Sequence, residues 1–273
     1  MGVKQNQLED YFDVIIVGFG PVGQLCSNLL NKYGLNIAVI ESNLDIYPEP
    51  RAISIDDEIQ RIISNLGLWD DFTRNQEVPD FADLVFPNGK VILRGPVTST
   101  INGFPFVSTI YQPALENLLR QNLNHSKTDQ IFLGYEIINF KQENDFVDIS
   151  IKNLENNKLS KLKSKYLFAC DGSESFIRNK LKIDLIDFKY NKEWLVVDIK
   201  LNESYDLEKV TRYICDPERP TIFNTLKGDR VRIEFQLLAG EDGNSLKNKN
   251  KYDELINSVL GDKKYLLERL YLY

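Results

Sequence analysis

Three cysteines, one histidine and the absence of any long apolar run set the first limits on this chain of 273 residues. Cys26, Cys170 and Cys215 lie far apart without paired spacing, which argues against a disulfide framework or a zinc site. A reducing, cytoplasmic setting is expected, with no metal. The single histidine, His125, sits in the polar stretch QNLNHSKTD and reads as a solvated side chain. No window approaches the ~18 uninterrupted apolar residues a membrane helix needs. The start MGVKQNQLEDYFD is polar and acidic, unlike a signal peptide, and Asn6 stands where myristoylation favours Ser or Thr. A basic surplus is missing too, because the formal charge is −7. The one basic run, KLSKLKSK, reads as the solvated face of a hairpin, so neither nucleic acid nor a membrane is expected as partner.

What is present is the balance of a soluble globular protein, 42% apolar and 27% charged, in a length that suits two domains. Residues 13–17, DVIIV, are a short β-branched run that stops at Gly18-Phe19-Gly20-Pro21-Val22-Gly23. The next stretch, QLCSNLLNKYG, has apolar residues at helical spacing and ends at Gly34, a C-cap candidate. NIAVIES then forms a second strand ending in Glu41 and Ser42. The unit is βαβ. Gly18 permits the tight turn, Gly20 lets backbone approach a pyrophosphate, and Gly23 lets helix pack on strand. Pro21 and Val22 begin the helix, whose N–H groups and dipole face the diphosphate. Glu41, 21 residues after Gly20, is placed to accept from ribose hydroxyls and would repel a 2′-phosphate. FAD or NAD is therefore the expected tenant of this turn, and NADP is disfavoured.

Farther on, Ile59, Ile62, Ile63 and Leu66 mark a helix by their spacing. Asn88-Gly89 between two alternating runs predicts a hairpin. FVSTIYQPALENLLRQNL goes from strand to helix with Pro113 in the first turn. IFLGYEIINFKQ, FVDISIKN, KSKYLFAC, EWLVVDIKL, TRYICD and VRIEFQLLAG read as strands, and 250–260 and 263–270 as two short helices. The expected class is α/β: a Rossmann-type dinucleotide domain at 1–80 and 108–184, and a mostly antiparallel sheet domain at 81–107 and 185–273.

A second strand-to-turn-to-helix switch occurs at YLFACDGSESFIR. It brings Asp171 and Gly172 to a sheet edge and starts a helix with Ser as N-cap candidate. By itself this is an ordinary Asp-Gly turn. In a doubly wound sheet, however, it returns to the edge where the ligand lies.

In combination, VGFGPVG with Glu41, PRAISIDDE, YQPALENLL and CDGSESFIRNKL resemble the class A FAD-dependent aromatic monooxygenases, the p-hydroxybenzoate hydroxylase-like family with its GR2-like fold. Within that group YPEPRAISIDDE, EWLVVDIKL, CDPERPT and EFQLLAGED are similar to 3-(3-hydroxyphenyl)propanoate hydroxylases. The resemblance implies that Gly18, Gly20 and Gly23 cradle the FAD pyrophosphate and Glu41 holds the adenosine ribose. It implies that Arg51 and Gln112 reach the ribityl side, that Asp171 and Gly172 sit near the pyrophosphate, and that Arg178 braces their turn. It implies a substrate-binding role for the sheet domain. The implied reaction is hydroxylation of a phenolic aromatic acid: NAD(P)H reduces FAD, the reduced flavin adds O2, and the hydroperoxide transfers oxygen to the ring.

Relatives carry a third motif, Gly-Asp followed by small residues, His and Pro. Here neither Gly228-Asp229 nor Gly261-Asp262 has that sequel, and the chain stops at ERLYLY. A truncated chain is expected, one that binds FAD poorly and turns over little alone. A homo-oligomer or a complementing C-terminal chain stays open as a partner. Two other readings stand beside the hydroxylase. One is a different flavoprotein on this scaffold, for which Trp69 and Trp194 are not placed as a halogenase requires. The other is a non-catalytic nucleotide-binding fragment or interaction module.

Overall fold

The computed structural model describes residues 11–47, 51–97, 100, 102–123, 130–203, 205 and 207–273; His125 lies outside them. The chain opens with β1 (Tyr11–Val17), α1 (Pro21–Lys32) and β2 (Ile37–Glu41). Then come β3 (Ser54–Asp56), α2 (Asp57–Asn65), α3 (Trp69–Thr73), β4 (Gln76–Glu77), β5 (Phe81–Val85), β6 (Val91–Pro96) and β7 (Val107–Ile110). These are followed by α4 (Gln112–Leu123), β8 (Gln130–Leu133), β9 (Tyr135–Gln142), β10 (Val147–Asn153), β11 (Leu159–Ala169) and α5 (Phe176–Lys180). The last stretch holds β12 (Trp194–Leu201), β13 (Val210–Ile214), β14 (Thr221–Leu226), β15 (Arg230–Gln236), a 3₁₀ turn (Gly243–Lys247), α6 (Lys249–Leu260) and β16 (Tyr265–Leu272). None of the described helices is long and apolar enough to cross a membrane.

Two compact units result, one of residues 1–51 and 112–186, the other of 52–111 and 187–273. The first is an α/β layer on a six-stranded sheet in the order β8-β2-β1-β11-β10-β9. β8, β2, β1 and β11 run parallel, while β10 runs antiparallel to both of its neighbours, β11 and β9. β1 is central and buried on both faces, which is why its sequence is a continuous apolar run and not an alternation. Phe12, Ile15 and Val17 face a core shared with Ile149, Ile151 and Ile177. Val14 and Ile16 face the opposite core, with Ile37, Val39 and Leu123. Each such side chain contributes about 1.5–3 kcal/mol on burial.

The parallel register of β1 on β11 pairs Val17 with Ala169. The two strands therefore end together, and the glycine turn and the Asp-Gly turn leave the same sheet edge. The basic run KLSKLKSK falls on the β10–β11 hairpin, with Lys161, Lys163 and Lys165 exposed between buried Leu162 and Ser164.

The second unit is built on a seven-stranded sheet in the order β16-β12-β15-β14-β13-β5-β6, with a small β3-β7-β4 sheet beside it. Its pairings are antiparallel except β13 on β5. Leu195, Val197, Ile199, Val231, Ile233 and Phe235 line one face and pack with Ile256 and Leu260 of α6.

Two expectations change here. Residues 263–270 are not a helix but most of strand β16, paired antiparallel to β12. Leu267, Leu270 and Leu272 join the α6 core from that strand, so the sheet's need for a partner outweighs a short helical pattern. Residues 52–80 and 108–111 compact with the second unit. The cause is pairing, since β3 and β4 flank β7 and the Thr109 hydroxyl lies 3.3 Å from the Thr225 carbonyl on β14.

Candidate functional site at the edge of the parallel sheet

The glycine turn between β1 and α1 is held by close packing and by one carboxylate. Gly18 has φ +95°, and a Cβ there would stand 2.2 Å from the Cys170 carbonyl oxygen. A Cβ on Gly23 would stand 2.0 Å from the Gly18 carbonyl oxygen. These two glycines are obligatory for packing. Gly20 differs, because a Cβ there would meet no protein atom within 4 Å. Its φ is −75°, so the backbone does not require glycine either. The residue leaves open space above the turn.

That space adjoins a helix start without a protein cap. α1 has Gly20 as N-cap, Pro21 in its first turn and no side-chain hydrogen bond to its N-terminus. By contrast α2 is capped by Asp56, α5 by Ser175 and α6 by Asn248. A helix leaves its first backbone N–H groups without intrahelical partners, and these with the dipole favour an anion. An uncapped helix of 12 residues beside a vacant Cβ position fits the diphosphate of a dinucleotide.

Glu41 ends β2 on the same edge. Its Oε2 accepts from the Phe19 N–H at 2.7 Å, tying the second strand to the middle of the glycine turn. Its Oε1 accepts from the Asn43 N–H and Nδ2, both at 2.8 Å, and from the Ser42 hydroxyl at 3.2 Å. A carboxylate offers about four lone-pair positions, so Oε2 retains capacity for a ribose hydroxyl. The bracing of Phe19 was invisible in the sequence, where Glu41 reads only as a ribose acceptor.

The Asp-Gly turn closes the edge. Asp171 Oδ1 accepts from the Ser175 hydroxyl at 2.6 Å and Oδ2 from the Ile177 N–H at 3.2 Å. Ser175 in turn caps α5 by accepting from the Arg178 N–H at 3.0 Å. Gly172 has φ +79° and open space at its Cβ position. Arg178 ties the turn through its backbone, while its guanidinium reaches Asn179 Oδ1 at 3.5 Å.

Behind the turn lies a buried polar chain that no motif announced. Gln24 Nε2 donates to the Phe19 carbonyl at 2.7 Å and to Glu116 Oε2 at 2.9 Å. Gln112 Nε2 donates to Glu116 Oε1 at 2.7 Å. Gln112, predicted to face the ribityl side, gives one of its two amide N–H groups to Glu116. Burial pushes the Glu116 carboxyl above the usual range, against the opposing pull of Gln112, Arg120 and Gln24. The Arg120 guanidinium lies over the Phe19 ring at 5.0 Å. A mid-helix Gln and Glu look like ordinary helix surface in sequence, so this chain had no readable signal. Gly18, Gly20, Pro21, Val22, Gly23, Glu41, Ser42, Asp171 and Gly172 gather at one edge; Arg51 is exposed on the segment after β2.

The Gly-Asp pairs without a family sequel are structural turns. Gly228 and Asp229, at φ +77° and +59°, close the β14–β15 hairpin, and Gly261 at φ +66° ends α6.

Comparison with known proteins gives the family and the fold. The family described as FAD binding domain matches residues 11–263. A 3-(3-hydroxy-phenyl)propionate/3-hydroxycinnamic acid hydroxylase of Comamonas testosteroni is 27% identical over 99% of this chain and 46% of its own length. The protein of that name in Escherichia coli K12 is 29% identical over 90% of this chain and 44% of its own. The chain thus spans about half the length of the curated relatives it matches. Among solved structures, p-nitrophenol 4-monooxygenase of Pseudomonas putida superposes with a TM-score of 0.86 at 20% identity, covering 97% of this chain and 68% of that one. Aklavinone-11 hydroxylase, solved with FAD and aklavinone, gives 0.80 at 19% identity over 100% and 54%. With residues 11–263 matched, the chain belongs to the FAD binding domain family.

Proposed function

We propose that these residues are the FAD-binding and substrate-sheet parts of an NAD(P)H- and O2-dependent hydroxylase acting on a phenolic aromatic acid. The observation that carries the reading is the open position at Gly20 beside the uncapped start of α1. FAD, when bound, would relay electrons from NAD(P)H to O2. This chain's own part is to bind and orient. The turn N–H groups after Gly20 would hold the diphosphate, and Glu41 would accept from the adenosine ribose through Oε2. Asp171, locked by Ser175 and the Ile177 N–H, would fix the neighbouring wall. Arg51 is assigned to the ribityl side. Gln112 is assigned to the same side, with one of its two amide N–H groups given to Glu116. The face of the seven-stranded sheet opposite α6, carrying Trp194, Tyr213, Tyr271 and Tyr273, supplies aromatic surface suited to a ring.

The relatives' names support the phenolic acid class. A non-catalytic nucleotide-binding module is the alternative reading. Purified chain titrated with FAD, followed by the visible flavin band and its fluorescence, tests the cofactor. NAD(P)H consumption with a panel of hydroxyphenyl acids tests the activity. FAD-induced thermal stabilisation that disappears on substitution of Gly20 supports the reading. Failure of FAD to alter either the spectrum or the melting temperature at any concentration would overturn it.

A further inference from the structure

Two of the three cysteines, far apart in sequence, meet beneath the glycine turn. Cys170 follows the last residue of β11, and its backbone N–H donates to the Val17 carbonyl at 2.8 Å. Cys26 lies on α1 three residues after Gly23, hence on the same helix face. A Cβ on Gly23 would stand 3.5 Å from the Cys170 Cβ, so that face lies against Cys170. Both side chains pack on the Val14–Ile16–Phe19 core and are half-buried, and each is the strongest influence on the other's ionisation. Cys215 is exposed and belongs to the other unit.

We propose that Cys26 and Cys170 form an oxidation site that hydroperoxides convert to an intramolecular disulfide.

Cys26 is the attacking sulfur. The Cys170 side chain beside it lowers its pKa, while the same neighbour and burial raise that of Cys170. The thiolate, not the thiol, attacks. With hydrogen peroxide, Cys26 sulfur takes one oxygen to give the sulfenic acid, and the departing hydroxide takes the Cys170 proton to leave water. The Cys170 thiolate then attacks the Cys26 sulfur, and the second hydroxide leaves as water with the proton first lost by Cys26. Two thiols and one peroxide give one disulfide and two waters; the sulfurs lose two electrons and the peroxide oxygens gain them. The sulfurs must close to ~2.05 Å. Because the Cys170 carbonyl is what Gly18 packs against, that closure also draws on the backbone of the glycine turn.

The test reads the bond directly and is independent of whether FAD binds. The chain is treated with hydrogen peroxide, alkylated, digested with trypsin and mapped without reductant. The expected product joins the peptide of residues 5–32 to that of residues 166–178, two mass units below the sum of the reduced pair and released by dithiothreitol. It should exceed any peptide containing Cys215 by about tenfold, given the difference in environment. Cys215→Ser should give the same product. In Cys170→Ser the Cys26 sulfenic acid has no resolving thiol, so dimedone should trap it. Alkylation of both Cys26 and Cys170 after peroxide, sulfinic acid at Cys26 with Cys170 still alkylated, or equal linkage to Cys215 would each overturn the proposal, and the wild-type map alone reports all three.

Discussion

The carbonyl oxygen of Cys170 stands 2.2 Å from where a side chain on Gly18 would begin. The first turn of the chain and the turn at 171 are thus one packed object, and the three glycines of the first turn separate into two kinds. Gly18→Ala meets both the clash and a positive φ of +95°, and Gly23→Ala meets the Gly18 carbonyl. Each should cost about 1–3 kcal/mol or more, seen as a lowered melting temperature without any ligand. Gly20→Ala should cost less, about 1 kcal/mol at most, while weakening FAD binding because the added methyl enters the open space. Equal destabilisation by all three in ligand-free thermal melts would contradict this division.

Glu41→Gln separates bracing from ribose binding. The Glu41 carboxylate accepts four hydrogen bonds, from Phe19, Asn43 twice and Ser42. An amide keeps one oxygen and turns its NH2 toward a donor. A loss of about 1–3 kcal/mol is expected from the donors left unpaired, measurable by urea denaturation. Glu41→Asp retains the charge but is one methylene short of Phe19 N–H. It should therefore lose stability as well, whereas a residue that served only the ribose would leave ligand-free stability unchanged.

What was readable in the sequence followed local physical rules. Val14 to Val17 form a central strand because an uninterrupted β-branched run can be buried on both faces. Asn88-Gly89 makes its hairpin, with Gly89 at φ +81°, because that turn needs a left-handed residue. The strand at 265–272 was not readable, because Tyr265 to Leu272 carry an i, i+3, i+4 apolar pattern that an edge position beside β12 overrides. The chain from Phe19 through Gln24 and Glu116 to Gln112 was hidden for a different reason. It joins α1 to α4 across 92 residues, and no local pattern encodes which polar side chains of two helices will face each other.

Asp83 gives the second unit a pH-dependent anchor. It is fully buried, and Arg94 meets it with two bonds at 2.8 and 2.7 Å, with Arg212 at 3.5 Å. The Arg94 hydrogen bond, opposed by burial, holds its carboxyl below the usual range. A depressed carboxylate contributes stability above its unfolded value of about 3.9 and loses it as pH falls through the folded value. Asp83→Asn should therefore destabilise by about 1.5–3 kcal/mol at neutral pH. The gap to the wild type should close in strong acid, and melting curves from pH 7 downward check it. A gap independent of pH would mean the pair contributes by packing alone.

Glu116 has the opposite sign, which makes it the stricter test of the buried chain behind the glycine turn. It is 1% exposed, and burial is the largest influence raising its carboxyl, with Glu41 adding to it. A raised carboxyl pKa contributes stability that is complete below the unfolded value of about 4.3 and is lost as pH rises through the folded value. Gln24 Oε1 is buried without a donor, and a neutral Glu116 is the state of this cluster that offers one more. Glu116→Gln cannot titrate, and it presents one NH2 to the amides of Gln24 or Gln112, so a constant loss of about 1 kcal/mol is expected. Superposed on that offset, the wild type should lose stability relative to the variant as pH rises from acid toward neutral. Melting temperatures of the two proteins across that range decide it: a wild type that instead gains on the variant with rising pH would show Glu116 ionised and paired, with Arg120 and the two amides outweighing burial.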